Sequence, residues 1–152
     1  MTRLLVVHHT PSPACHTLLE AVRSGATDPS LAEAGVEVVV RPALAATAID
    51  VLEADGYVIG TPANLGYMAG AVKHFFDLVY YPCLDATRGR PWSLWVHGNN
   101  DVDGAVLAVE RIVTGLGWQA VAEPLRVAGD PDRAALDAAW ELGARTAAAV
   151  TA

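Results

Sequence analysis

Five short apolar runs, each set off from the next by a loop and a stretch of helical periodicity, restrict this chain more than any other feature. Four of them, residues 3–8, 36–41, 55–59 and 92–96, read as strands apolar on both faces, the pattern of a parallel sheet covered on each side. The fifth, 119–127, contains Pro124, which has no amide to give to a ladder, so it belongs at an edge and last in the sheet. Between the strands, Leu18, Leu19 and Val22 form one helical stripe. Val72, Phe75, Phe76, Val79 and Tyr80 form a second, and Val106, Val109, Ile112 and Val113 a third. Asp103 precedes the third helix and Gly115 and Gly117 end it; Asp130-Pro131 opens an alanine-rich helix carrying Leu136, Trp140 and Gly143. Thr27-Asp28-Pro29-Ser30 marks a turn that restarts a short helix ending at Gly35. Right-handed crossovers that carry helices to both faces of a parallel sheet give a three-layer, doubly wound α/β domain over residues 1–152. Composition does not order its strands.

With 152 residues and 53% apolar content the chain can bury a sizeable core and has little room for a second domain. A net charge of -7 and a pI near 5.0 argue against a nucleic-acid partner, because phosphate backbones are held by clustered Lys and Arg and the ten here are scattered. Cys15 and Cys83 are too few for a disulfide framework, and no basic segment followed by a long apolar core opens the chain, so a cytoplasmic protein is expected. Runs such as 4–7 are far shorter than a bilayer span, and no membrane association is expected.

Loops leaving the carboxyl ends of parallel strands are where α/β folds bind ligands. The first, residues 9–17, offers hydroxyls but no Lys or Arg. A phosphate could be held there by the Thr10, Ser12 and Thr17 hydroxyls and the amides of Cys15, His16 and Thr17, with His16 as a further donor. The same residues read equally well as a proline-rich turn with Thr17 as helix cap. Neither the Gly-x-Gly-x-x-Gly of a dinucleotide fold nor the Gly-Lys-Ser/Thr of a triphosphate loop is present. His8, His9, Cys15 and His16 invite zinc, yet adjacent strand residues point to opposite faces and no Cys-x-x-Cys or His-x3-His pair completes a ligand set, so no metal is expected. Cys15 at a helix start is expected to have a lowered thiol pKa and to be sensitive to oxidation. The second loop, 61–70, has Gly66 and Gly70 for close backbone approach, with Pro62, Leu65, Tyr67 and Met68 as an apolar platform for a flat ring. The alternative places Tyr67 and Met68 in the core or an interface. The third loop, 97–104, would complete the crevice with His97, Gly98 and Asn99; by itself it reads as an Asn/Asp/Gly turn that caps the next helix through Asp103. No Ser/His/Asp or Cys/His signature marks a nucleophile, and no catalytic residue is assigned.

Gly60-Thr61-Pro62, Gly66, Met68-Ala69-Gly70, Lys73 and Phe75-Phe76-Asp77 resemble the second flavin-contacting loop of the flavodoxin-like NAD(P)H-dependent FMN and quinone reductases, and the resemblance runs from residue 3 to about residue 127. It implies a five-stranded parallel sheet in the order 2-1-3-4-5, with 36–41 and the Pro124 strand at the edges. It implies FMN as cofactor and a phosphate loop whose closing Asn/His-Thr pair is here His16-Thr17. The second loop would bond the flavin edge through backbone amides and pack on its ring, roles carried to Thr61, Pro62, Asn64, Gly66, Tyr67 and Met68, while the amides of His97, Gly98 and Asn99 would read the pyrimidine side. Asn64 and Leu65 stand where these reductases often have an aromatic or basic residue. NAD(P)H would be co-substrate and a quinone, a second flavin or another small molecule the electron acceptor, the cofactor carrying the chemistry. Tyr80-Tyr81-Pro82 and Trp92, expected near the crevice, suit a homo-oligomer with sites at the interface; Trp92 equally suits a structural lid. Two rivals stand beside this reading: a flavodoxin-type electron carrier, whose usual tryptophan and tyrosine pair these loops lack, and a flavodoxin-like scaffold that has lost FMN and acts in binding or assembly.

Overall fold

A computed structural model describes residues 2–152. At its centre, β1 (Thr2–His8) is fully buried from Leu4 to Val7. Leu5 and Val7 face one helical layer and Leu4 and Val6 the other, as the two-residue period of a strand requires. The chain continues through α1 (Pro13–Ala26), α2 (Pro29–Glu33), β2 (Val36–Pro42), α3 (Ala48–Glu53) and β3 (Gly56–Asn64). It then forms β4 (Tyr67–Met68), α4 (Gly70–Cys83), β5 (Pro91–Gly98), α5 (Asp103–Leu116), β6 (Gln119–Ala120), β7 (Leu125–Ala128) and α6 (Arg133–Ala149).

The sheet order is β2-β1-β3-β5-β6, all parallel, with β7 also parallel to β5 and β4 folded back antiparallel on β3. In terms of the five expected strands this is the order 2-1-3-4-5. The fifth is broken in two. Trp92 pairs with Ala120 and Trp95 with Leu125, so two residues of β5 face the four of 121–124. Pro124 closes that gap: it has no amide to donate, and pairing resumes one residue later at the sheet edge.

Helices α1 and α6 cover one face, burying Leu18, Val22, Trp95, Ala139 and Leu142. Helices α3, α4 and α5 cover the other around Ile59, Phe75, Phe76, Leu94 and Val109. Two helix starts differ from expectation. Asp103 is the first residue of α5, and its amide is held by Asp101 Oδ1 at 3.0 Å. Asp132, not Asp130, caps α6 by accepting from the Ala135 amide at 2.8 Å. Gly115 lies within α5, which ends at Gly117 in the left-handed region, φ +75°.

Trp92 is buried at the amino end of β5 beside Trp118, which stacks on Tyr57 with ring centroids 3.9 Å apart. It pairs with Tyr57 at the opposite end of the sheet from the loops that could bind a ligand, so it lies away from the crevice and is not a lid over it. Tyr57 donates to the Val51 carbonyl at 2.6 Å, and burial pushes its phenol pKa up to about 12. Arg90 Nη1 closes this corner by donating to the carbonyls of Leu52 and Ala54. Among the described residues no helix is long and apolar enough to cross a membrane.

Candidate functional site

The carboxyl ends of β1, β3, β5 and β7 meet on one edge, and the turns leaving them enclose a crevice of about 410 Å³. That volume lies within the range of small-molecule sites, roughly 300–1,000 Å³. Pro11, Ser12, Pro13 and Ala14 form one wall; Pro62, Ala63 and Asn64 form the second; His97, Gly98 and Asn99, with Asp130, form the third.

The first wall is built around the N-terminus of α1. Ser12 is its cap, with Oγ accepting from the Cys15 amide at 3.2 Å, and its carbonyl accepts from the His16 amide at 3.0 Å. Pro11 and Pro13 have no amide hydrogen. The amides of Thr10, Ser12 and Ala14 therefore remain without a partner among the described residues, at the positive end of a helix whose first turn has no acidic residue. The expected donors shift accordingly. The Cys15 and His16 amides are used within the helix start, and Thr17, exposed, donates its hydroxyl back to the Pro13 carbonyl at 2.8 Å instead of capping. His16 is exposed on the same turn.

Cys15 departs from expectation most clearly. Its side chain is fully buried, and burial raises its thiol pKa, outweighing the Ser12 hydrogen bond that lowers it. A low-pKa, oxidation-prone cysteine is therefore not what this helix start provides.

The second wall begins with Thr61, buried, whose Oγ1 accepts from the Ala69 amide at 3.0 Å and donates to the Pro62 carbonyl at 2.8 Å. Thr61 thereby fixes both stems of the hairpin joining β3 to β4. Between Asn64 and Tyr67 only Leu65 and Gly66 make the turn, at φ +52° and +75°, the left-handed pair that a two-residue hairpin uses. A leucine there is strained, and this one is fully exposed. The reversal decides which side chains reach the crevice. Met68 is buried in the α4 and α5 core, and Tyr67 with Gly66 borders a separate groove beside Lys73, Leu107 and Ile112. Only Pro62, Ala63 and Asn64 of this loop face the crevice.

On the third wall His97 is buried, with Nε2 2.8 Å from the Gly129 carbonyl and Nδ1 3.8 Å from Cys15 Sγ. Asp130, exposed at the mouth, is the one formally charged lining residue and was not expected from sequence. No group of three or more His, Cys, Asp or Glu residues placed to hold a metal occurs among the described residues. His8 instead bonds Thr10 Oγ1 through Nδ1 at 3.1 Å.

Burial, then the neighbouring His9 and His16, lower the His8 pKa below the ordinary imidazole value of 6.5. The unfolded chain then takes up a proton before the folded one does. The associated stability is complete above pH 6.5 and is lost as pH falls from there through the folded value. His8→Asn keeps a polar partner for Thr10 and removes the titration, so its melting temperature should fall less than the parent's between about pH 7 and about pH 5. Parallel melting curves for the two proteins over that interval would refute this role for His8.

Comparison with known proteins locates the fold. No protein-family profile matches the chain. A flavodoxin of Aquifex aeolicus (strain VF5) is 35% identical over 77 residues, covering 51% of this chain but only 40% of that protein. A flavodoxin from the domain Archaea superposes with a TM-score of 0.84 at 17% identity, covering 99% of this chain and all of that one. A flavodoxin, WrbA-like protein from Agrobacterium tumefaciens gives 0.77 at 16% identity, covering 99% and 98% of the two chains. The flavodiiron protein from Giardia intestinalis gives 0.83 at 14% identity, with 99% of this chain matching 36% of that one. The chain has the flavodoxin-like fold.

Proposed function

We propose that this chain is an FMN-binding flavoprotein that works in electron transfer, as an NAD(P)H-dependent oxidoreductase passing electrons to a quinone, a flavin or another small acceptor. One observation carries the reading: Ser12 and Ala14, whose amides are unpaired at the start of α1, line the same crevice as a proline- and alanine-lined wall, with the unpaired Thr10 amide just before them, giving it an anion end and a ring end. The amides of Thr10, Ser12 and Ala14, with the Ser12 hydroxyl, would hold the phosphate without any Lys or Arg. Pro62 and Ala63 would pack against the ring, and the side chains of Asn64 and Asn99 with the Gly98 backbone would meet its polar edge. FMN, when bound, supplies the electron-transfer chemistry, and the protein's task is to hold and orient it.

No Phe, Tyr or Trp lines the crevice, which leaves space on the ring for a second flat molecule and favours a small-molecule reductase. The rival, a one-electron carrier, is supported by the resemblance to flavodoxins and by the net charge of -7, which suits docking on a basic partner. Titration of the purified protein with FMN, followed by flavin fluorescence, should saturate near one FMN per chain. NADPH consumption with an added quinone then favours the reductase, and saturation without consumption favours the carrier. Absence of quenching at micromolar protein would overturn both and leave a flavin-free scaffold.

A further inference from the structure

The His97 side chain has no part in the scheme above, yet from the third wall it reaches Cys15, the residue after Ala14 of the first wall, and Gly129, the residue before Asp130. A carbonyl oxygen only accepts, so at 2.8 Å from the Gly129 carbonyl the His97 Nε2 carries the hydrogen. In a neutral ring Nδ1 is then bare and can accept from the Cys15 thiol, whose sulfur lies 3.8 Å away, within the longer reach of a sulfur donor. Burial, which keeps Cys15 a thiol, supplies the proton that this arrangement needs. Gly129 returns a second bond, its amide donating to the Gly98 carbonyl at 2.8 Å. One imidazole thus ties the helix start behind Ser12 to the turn that presents Asp130.

We infer that His97 is a positioning residue that sets the width of the crevice by clamping Cys15 of the first loop to Gly129 of the last. The inference rests on the flavin reading for its ligand and on the Cys15–His97–Gly129 geometry for its mechanism. Because the clamp acts on the spacing of the walls and contributes no donor to the phosphate, its loss should affect every flavin alike, whereas loss of a phosphate donor should affect FMN alone.

The test compares His97→Phe, which keeps a flat ring but neither bond, with His97→Gln, whose amide can still donate to Gly129. In flavin-free protein, nitrogen NMR of the parent should show the neutral ring protonated at Nε2, and His97→Phe should speed hydrogen exchange at the Gly129 amide while leaving Leu5 in β1 unchanged. His97→Phe should also weaken FMN and lumiflavin by the same factor, about tenfold, the loss expected for one good hydrogen bond. His97→Gln should recover most of it. Protonation at Nδ1 in the parent, unchanged Gly129 exchange in His97→Phe, or unchanged flavin affinity despite faster exchange would each overturn the inference. Should the parent bind no flavin while Gly129 responds as expected, the clamp stands and the flavin reading fails. The tautomer, read on the parent alone, tests the clamp even if His97→Phe does not fold.

Discussion

Gly143→Val is expected to destabilise the protein by about 3 kcal/mol and to lower its melting temperature by roughly 6–12 °C. In an exposed helix interior, replacing glycine with a residue that carries a Cβ is favourable, by up to about 1 kcal/mol for alanine. Here the sign reverses, because α6 and α1 approach too closely for one. A Cβ on Gly143 would lie 2.0 Å from the Val22 carbonyl oxygen and 3.1 Å from the Ala26 amide nitrogen. Both are backbone atoms of α1, so no side chain can turn aside and the helices must separate. The contact is reciprocal: a Cβ on Gly25 would lie 1.9 Å from the Trp140 carbonyl oxygen. Because either substitution wedges the same pair apart, Gly25→Ala and Gly143→Ala should combine to less than their sum. The effect reaches the crevice because α1 begins there, and flavin affinity should fall along with stability. Calorimetry showing a Gly143→Val midpoint at or above the parent's would refute this close crossing.

The alternation of doubly buried runs with helical stripes revealed the sheet and its covering helices, because strands such as 4–7 must satisfy two apolar layers and have little sequence freedom. Ends were harder to read. The third strand runs on from the expected 55–59 to Asn64, since Thr61 and Pro62 still lie opposite Val96 and His97 in the ladder, although a Gly-Thr-Pro sequence reads locally as a turn. Helix α3 is too short to show a stripe, and its one signature is the Thr47 and Asp50 capping box. At the crevice, sequence pointed to the right loops but not always to the right atoms. Which of Ser12 and Thr17 caps α1 depends on where the helix starts, and a shift of one turn moves every amide assigned to the phosphate. The raised Cys15 pKa reflects burial under a helix that sequence could not place. Tyr67 and Met68 miss the crevice because a two-residue hairpin returns the chain onto β3 and redirects both side chains. Asp130 joins the wall only through long-range pairing of β7 with β5, for which the local sequence has no signal.

Ser12→Asp separates the anion end of the crevice from the fold that builds it. Aspartate caps helices as well as serine does, and a carboxylate at the positive end of α1 is favourable, so the melting temperature should hold or rise slightly. The same carboxylate would stand beside the three free amides. At about 5 Å from a phosphate charge, with an effective dielectric of about 20, repulsion amounts to roughly 3 kcal/mol. Loss of the hydroxyl donor adds about 1 kcal/mol. With salt screening, FMN affinity should fall about a hundredfold or more, whereas riboflavin, which has the same ring and no phosphate, should change by less than about threefold. The ratio of the two dissociation constants therefore reports on the phosphate contact alone. Equal weakening of both flavins would mean that Ser12 lies under the ring, with the crevice occupied in the opposite sense. If neither changed, the amides of Thr10, Ser12 and Ala14 would be satisfied by water and the anion site would have to lie elsewhere. An FMN-selective loss in a protein of unaltered stability has one source in this geometry: a phosphate held at the N-terminus of α1 by backbone amides, with no cationic side chain to share its charge.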